Sequence, residues 1–433
     1  MKLNESNIQG VGAIPSHWNI KKLKHCLLPG SEGIKIGPFG SALKSEILIT
    51  EGYKVYGQEN LIKDDFTLGH RFISEEKFNE LKSYEIIEND VLISMMGTVG
   101  KCKVVPSIIE KGIMDSHLIR IRFNESIILP EFAAYLIQDS IYIKVQIDLN
   151  SKGSIMSGLN SSIIKNLKLI LPPIEEQRII LKYISRKNMQ LYQLSNSKNI
   201  LINLLNEQRQ SIITEAVTKG LNPNVKMKNS GIEWIGEIPE HWDMKKVKYT
   251  FNNLDYKRIP LSSEERGKMT EKVYDYYGAS GVIDKVDYYL FDETLILIGE
   301  DGANLFSRST PLAFLARGKY WVNNHAHILK PKNGDIDYFV NLLESIDYSI
   351  YISGSAQPKL TQEALGNITL PLPPIEEQSE IGELVKNVLI EHKEIISTLK
   401  NQIEKLKEYR QSLIYEAVTG KIDVRDMELD EVR

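Results

Sequence analysis

The chain has 433 residues, 42% of them hydrophobic and 25% charged, and a net charge of −4. That length allows two or more domains with proper cores, while the lack of a long apolar run, or of an apolar core in the opening "MKLNESNIQG", argues against a membrane span and a secretory signal. Two cysteines, Cys26 and Cys102, exclude a disulfide framework and a cysteine-based zinc site, so a reduced, cytoplasmic protein is expected. A large anionic ligand would have to be held by local basic patches or with the help of partners, since bulk basicity is missing.

In chain order the first feature is "IPSHWNIKKLK" at Ile14–Lys24, which returns as "IPEHWDMKKVK" at Ile238–Lys248. "LPPIEEQ" at Leu171–Gln177 returns at Leu372–Gln378, and "RQSIITEAVT" at Arg209–Thr218 returns as "RQSLIYEAVT" at Arg410–Thr419. The last two pairs share one offset, 201, so the segment from Leu171 to Gly220 recurs without a gap. Self-similarity on this scale defines the architecture.

Residues 1–172 read as a first mixed domain. "YEIIENDVLISMMGTVGKCKVV" alternates like strands around a glycine-bearing turn, "HLIRIRF" is another strand, and "PEFAAYLIQDSIYIKVQI" is helical. Residues 173–220 read as one long helix. Proline followed by Glu175 and Glu176 suits its start, because proline has no N–H to lose there and carboxylates favour the positive dipole end. Gly220 is a natural stop. A seam of 3-4 spacing runs through Ile180, Ile184, Lys187, Leu191, Leu194, Lys198, Leu201, Leu205, Gln208 and Ile212.

Residues 221–373 repeat the mixed order with "DYYLFDETLILIGEDGAN", "NNHAHILKP" and "DYFVNLLESIDYSIYI". Residues 374–421 form the second long helix, with the matching seam Ile381, Val385, Val388, His392, Ile395, Leu399, Gln402, Leu406, Tyr409 and Leu413, ending at Gly420. Residues 422–433 are an acidic, solvated tail. The fold expected is α+β: two tandem mixed domains in a pseudo-twofold arrangement, joined and separated by two long antiparallel coiled-coil helices.

No catalytic motif stands out. A G-x-G-x-x-G helix opening, a phosphate loop and an Asn/Asp-Pro-Pro-aromatic motif are all missing. His325 and His327 lie two apart on a predicted strand, where they could face one side, but with no carboxylate or cysteine beside them in the sequence they read as a polar strand end rather than a metal site. His17 and His241, next to Trp18 and Trp242, read as packing groups of the duplicated opening. No catalytic or metal-binding residue is assigned.

Two recognition-type domains, each followed by a "LPPIEEQ"-led helix, resemble the specificity subunit of a type I restriction–modification enzyme. "IGPFGSALKSE" with "GYKVYGQENL", "YYGASGVIDKVDYYLFDETLILIGEDGAN", and "SGIEWIGEIPEHW" before the second domain carry the likeness. The opening "SNIQGVGAIPSHW" departs from it, lacking the Glu-Trp-Ile found at Glu233–Ile235. The resemblance implies a non-catalytic subunit that reads a bipartite double-stranded DNA target, one half-site per domain. It also implies two adenine-specific methyltransferase subunits docked on the helices and two motor–nuclease restriction subunits, with S-adenosylmethionine, ATP and Mg on those partners and no cofactor on this chain. A duplicated protein- or RNA-binding adaptor is the alternative.

Features shared by both halves cannot discriminate between two half-sites, so base readers are expected where the halves differ. In the first domain these are Lys35, Ser41, Lys44, Ser94, Thr98, His117, Arg120 and Arg122. In the second they are Tyr256, Lys257, Arg258, Tyr277, Ser280, Asp301, Asn304, Asn323 and Asn324. Arg and Lys suit guanine edges, Asn suits adenine, and a carboxylate suits cytosine N4. Lys152 and Lys359 flank glycine-bearing loops (Gly153-Ser154 and Gly354-Ser355) that could lie along a phosphate backbone.

Overall fold

A computed structural model describes residues 2–39, 42–95, 100–151, 159–354, 358–425 and 427. The chain folds as two compact units, Met1–Ser197 with Gln402–Arg433, and Lys198–Asn401. The division falls within the long helices rather than at their ends.

In the first unit, Ile34–Ile36, Leu118–Ile121, Val91–Ser94 and Cys102–Val104 form an antiparallel sheet in that spatial order. Alternation sends Val91, Ile93, Ile119 and Ile121 to one face, where they meet the helix Pro130–Asp139 through Phe132, Ala133 and Leu136. Leu92 and Leu118 point to the other face with Tyr56 and Met114. A smaller sheet places Tyr53–Tyr56 parallel to Gly112–Met114 and antiparallel to Phe72–Ile73.

The second unit repeats this plan. Phe251–Asn253, Ala326–Pro331, Leu295–Gly299 and Ala313–Ala316 form the antiparallel sheet. Tyr274–Gly278 runs parallel to Lys319–Val322 and pairs with Gly281–Val286. The helix Ile336–Ser345 covers the main sheet through Phe339, Leu342 and Leu343.

The long helices span Ile174–Lys219 and Ile375–Val418. In the first unit the early part of the first helix (Ile180, Tyr183, Ile184) shares a core with the late part of the second (Leu413, Ile414, Ala417, Val418). In the second unit Ile213, Ala216 and Val217 share a core with Ile381 and Val385. Within each unit the packing is therefore antiparallel. The inward stripe differs from the expected seam in mid-helix. Leu201 is 44% exposed and Ile202 only 9%, and Ile403 is buried where Gln402 was expected. The stripe takes its four-residue steps one position earlier than the expected spacing did, so Leu194, Ile395 and Tyr409 face outward. Among the described residues no helix is long and apolar enough to cross a membrane.

The duplicated motifs prove to be fasteners. Glu176 accepts from the Trp18 indole N–H at 2.9 Å and contacts His17 Nε2 at 2.6 Å, tying the opening segment to the start of the first long helix. Glu377 contacts His241 Nε2 at 2.9 Å in the same way. Gln177, fully buried, accepts from Leu129 N–H and donates to the carbonyls of Ile127 and Pro172, and Gln378 accepts from Asp335 N–H and donates to Pro373. A buried amide with its bonds satisfied fixes geometry that an apolar residue would leave loose. Gly220 (φ +76°) and Gly420 (φ +71°) end the helices in the left-handed region, and a Cβ there would stand 3.0 Å from Trp242 and Trp18 respectively. The missing Glu-Trp-Ile has only a local effect, because Val11 and Ile235 are both buried and the turns close through matching bonds, Ser6 N–H to Gly12 O and Ser230 N–H to Gly236 O.

Candidate nucleic-acid interface

Each unit brings three loops together at one end of its central strands. In the first unit the Met95 N–H donates to His117 O at 2.9 Å, Leu159 N–H to Met95 O at 3.4 Å, and Asp115 N–H to Tyr56 O at 2.8 Å. The second unit makes the same bonds from Glu300 to His325 (2.9 Å), Leu360 to Glu300 (2.8 Å) and Asn323 to Tyr277 (3.0 Å). These bonds make Tyr56 equivalent to Tyr277, Met95 to Glu300, Asp115 to Asn323, His117 to His325 and Leu159 to Leu360. The registers Ile119 to Ile93 and His327 to Ile298 add Ile119 and His327 as a matched pair. The backbone is shared, and the side chains diverge.

In the first unit the outer groups are Lys44 and His117, with Lys35 half-buried and its ammonium 5.3 Å from the Tyr84 ring centre. Ser94 is buried and its hydroxyl accepts from Lys101 N–H at 3.0 Å. Arg120 and Arg122 are not available as readers. Arg120 is 1% exposed, pairs with Glu32 at 2.8 Å and donates to the carbonyls of Ser83 and Glu85. Arg122 pairs with Glu32 and Asp90, both at 2.7 Å. A strand that alternates toward two packed faces buries whatever it carries, so these guanidiniums act as internal clamps. Burial pushes the Asp90 carboxyl up from its ordinary value even against the pull of Arg122. Ser41, Thr98 and Lys152 lie outside the described residues.

In the second unit Tyr256, Lys257, Ser280, Asn324 and Lys359 are exposed. Tyr277 is half-buried, with its ring packed on Phe314 and Tyr320. Three expected readers have structural work instead. Arg258 pairs with Glu300 and donates to Ala326 O at 2.9 Å. Asn304 closes its own loop, accepting from Thr310 N–H and donating to Thr310 O, both at 3.0 Å. Asn323 is buried and accepts from His325 N–H at 2.8 Å. Asp301 is partly exposed and binds the His325 ring at 2.8 Å.

Carboxylates do join His325 and His327, contrary to the sequence expectation, because they arrive from other segments; only His327 lies on the strand Ala326–Pro331, and His325 precedes it. His327 is buried, with Nδ1 2.6 Å from Asp255 Oδ2 and Nε2 2.8 Å from Leu360 O. Both ring nitrogens face oxygen atoms at hydrogen-bond distance, so neither is open to a further ligand. Burial opposes ionisation of Asp255 and Glu300, yet His327, with Arg258 and Lys359 on Glu300, holds both carboxyls below their ordinary values. The ligand atoms of Asp255, Glu300 and His327 lie within 4.8 Å of one another. A metal would need a histidine lone pair that is already committed, beside two cations. The cluster is a closed ion network.

Removing its centre should be costly. His327→Ala takes away the 2.6 Å partner of buried Asp255, while Glu300 keeps Arg258 and Lys359, and breaking a buried pair costs about 3–5 kcal/mol. Differential hydrogen exchange should show that loss in the second unit and leave the first unchanged; a loss below about 1 kcal/mol would show that the network adds little. Since both carboxyls have depressed values in the fold, their contribution is present above about pH 4 and fades as pH falls through the folded values.

Sequence reasoning missed the matched histidines because they stand 208 positions apart, an offset belonging to neither repeat. The signal was present in "DSH" at Asp115–His117 and "NNH" at Asn323–His325, each just before a strand.

Known proteins place this arrangement. The type I restriction modification DNA specificity domain matches residues 35–204 and 239–405. The type I restriction enzyme MjaVIII specificity subunit of Methanocaldococcus jannaschii is 27% identical over 459 residues, spanning 94% of this chain and 97% of that one. In fold, a chain from a structure of the type I R-M system matches with a TM-score of 0.68 at 15% identity, covering 94% of this chain and 99% of its own. The HsdS subunit from Thermoanaerobacter tengcongensis matches with a TM-score of 0.53, also at 15% identity, covering 96% and 100%. With two specificity-domain matches spread over most of its length, this chain belongs to the DNA specificity subunits of type I restriction–modification systems, which recognise DNA and do not themselves catalyse.

Proposed function

We propose that each unit reads one half of a bipartite target in double-stranded DNA, with the long helices setting the unread spacer between the halves and docking two methyltransferase subunits. The observation that carries this reading is the matched loop cluster: one backbone scaffold used twice, with Met95, Asp115 and Ile119 replaced by Glu300, Asn323 and His327. Two readers built on one scaffold can dock alike and still read differently, because the shared parts position and the divergent parts specify. Candidate base contacts are Lys35, Lys44, Tyr256, Lys257, Ser280, Asp301 and Asn324, with His117 and Lys359 toward phosphate. Motor–nuclease subunits, also two, complete the restriction complex in the cytoplasm. S-adenosylmethionine, ATP and Mg are assigned to the partners.

The net charge of −4 predicts a division of labour. Alone, the chain should bind DNA weakly and lose that binding between about 50 and 200 mM salt, whereas the complex with methyltransferase subunits binds its target tightly, because the partners share the neutralisation of phosphates. Fluorescence anisotropy on the chain with and without those subunits is the test. Nanomolar, sequence-specific binding by the isolated chain at physiological salt would contradict it.

A further inference from the structure

We propose that His117 and His325 are a matched pair of phosphate contacts, one per unit, which dock the two readers without reading sequence. The inference rests on the DNA-binding reading above and goes beyond it by naming the contact and its chemistry.

The two residues occupy the same place by backbone geometry. Each carbonyl accepts from the residue after a central strand (Met95 or Glu300), and each N–H donates to a side chain two positions back, Asp115 Oδ1 at 2.9 Å or Asn323 Oδ1 at 2.8 Å. Each side chain is about half exposed, 51% for His117 and 49% for His325, although the strand that follows each is buried. The side chains around them have diverged, and the histidine has not.

A carboxylate stands at Nδ1 in both cases, supplied from different places. For His117 it is Asp115, at 3.6 Å, whose other oxygen is held by Arg71 at 3.0 Å. For His325 it is Asp301, at 2.8 Å, on the loop after the strand Leu295–Gly299. An acidic neighbour on the same side of the ring, reached by two routes, points to a shared role for the imidazole. At 2.8 Å the Asp301 carboxylate occupies Nδ1 of His325 and leaves Nε2 as the outward group, while Asp115 flanks the Nδ1 side of His117 from beyond hydrogen-bond reach. Neither Nε2 makes a hydrogen bond to a described residue. Protonated, that atom donates outward and fits an anionic oxygen. Two different half-sites share no base pattern that one residue could read in both, but they share the phosphate backbone. The flanking groups complete the site: Lys359 lies beside the His325 cluster, paired with Glu300 at 3.1 Å, and Arg71 beside His117.

The test uses the full chain assembled with its methyltransferase subunits. His117→Ala and His325→Ala should each weaken binding by about tenfold, equally on the target duplex and on an unrelated one, and should lower the salt slope by about one. The methylated motif should not change. His325→Arg, which keeps an outward cation, should restore most of the affinity. Loss on the target alone, or a relaxed base in the motif, would overturn the proposal and make the histidine a base reader. Unchanged affinity in a folded variant, or failure of the arginine to rescue, would also overturn it. Failure of the underlying reading looks different, since the wild-type complex would then show no DNA binding to compare.

Discussion

Replacing Lys24–Ser151 with the matching segment of a related specificity subunit should change one half of the methylated motif and leave the other half intact. The replaced segment contains the main sheet of the first unit and two of its three clustered loops. Its boundaries fall in repeated scaffold. The opening up to Lys24 stays fastened to Glu176, and the strand Lys168–Leu171 stays paired with Asn19–Lys22. None of the second unit's cluster is altered, so its half-site has no reason to move. A simultaneous change in both halves would mean that the two units do not read independently.

Lengthening the helices should lengthen the unread spacer. One heptad inserted after Leu194 and another after Ile395 keeps the inward stripe in phase, since the two positions are equivalent at the 201 offset. Leu194 and Ile395 face solvent, which makes the insertion points tolerant. Seven residues add about 10.5 Å of helix, close to three base pairs at ~3.4 Å each. Three pairs also turn a half-site by about 100° at ~10.5 pairs per turn, whereas seven residues leave a drift of only ~20° on the helix. The rotations do not compensate, so the expected spacer grows by one to three pairs, by the same estimate, with reduced methylation. A variant that folds, methylates and keeps the original spacer would show that the helices are not the ruler.

How much of this was legible in the sequence depended on the range of the interaction. The long helices were readable because their stripe is local in sequence, although the mid-helix phase slipped where Ser195 and Lys198 interrupt the apolar run and removed the cue that Ile202 faces inward. The repeats announced a duplicated scaffold, yet their purpose was hidden. His17 and Trp18 meet Glu176 across some 158 positions, and no local pattern encodes that contact. The readers were the least legible part. Arg120 and Arg122 look like ideal guanine contacts by residue type, but the alternation of a strand packed on both faces consumes them. Arg258 was lost to the same kind of long-range closure and Asn304 to a turn within its own loop, while the partners of His327 come from segments that only the fold assembles.

Two independent readers on one chain would require a bipartite methylated motif. Mapping methylated adenines genome-wide, with this chain expressed beside its methyltransferase subunit in a host lacking other adenine methylation, tests it most directly. The expected motif has two short specified blocks that differ from each other, separated by a fixed run of unspecified bases. A continuous palindrome, or a single specified block, would contradict it.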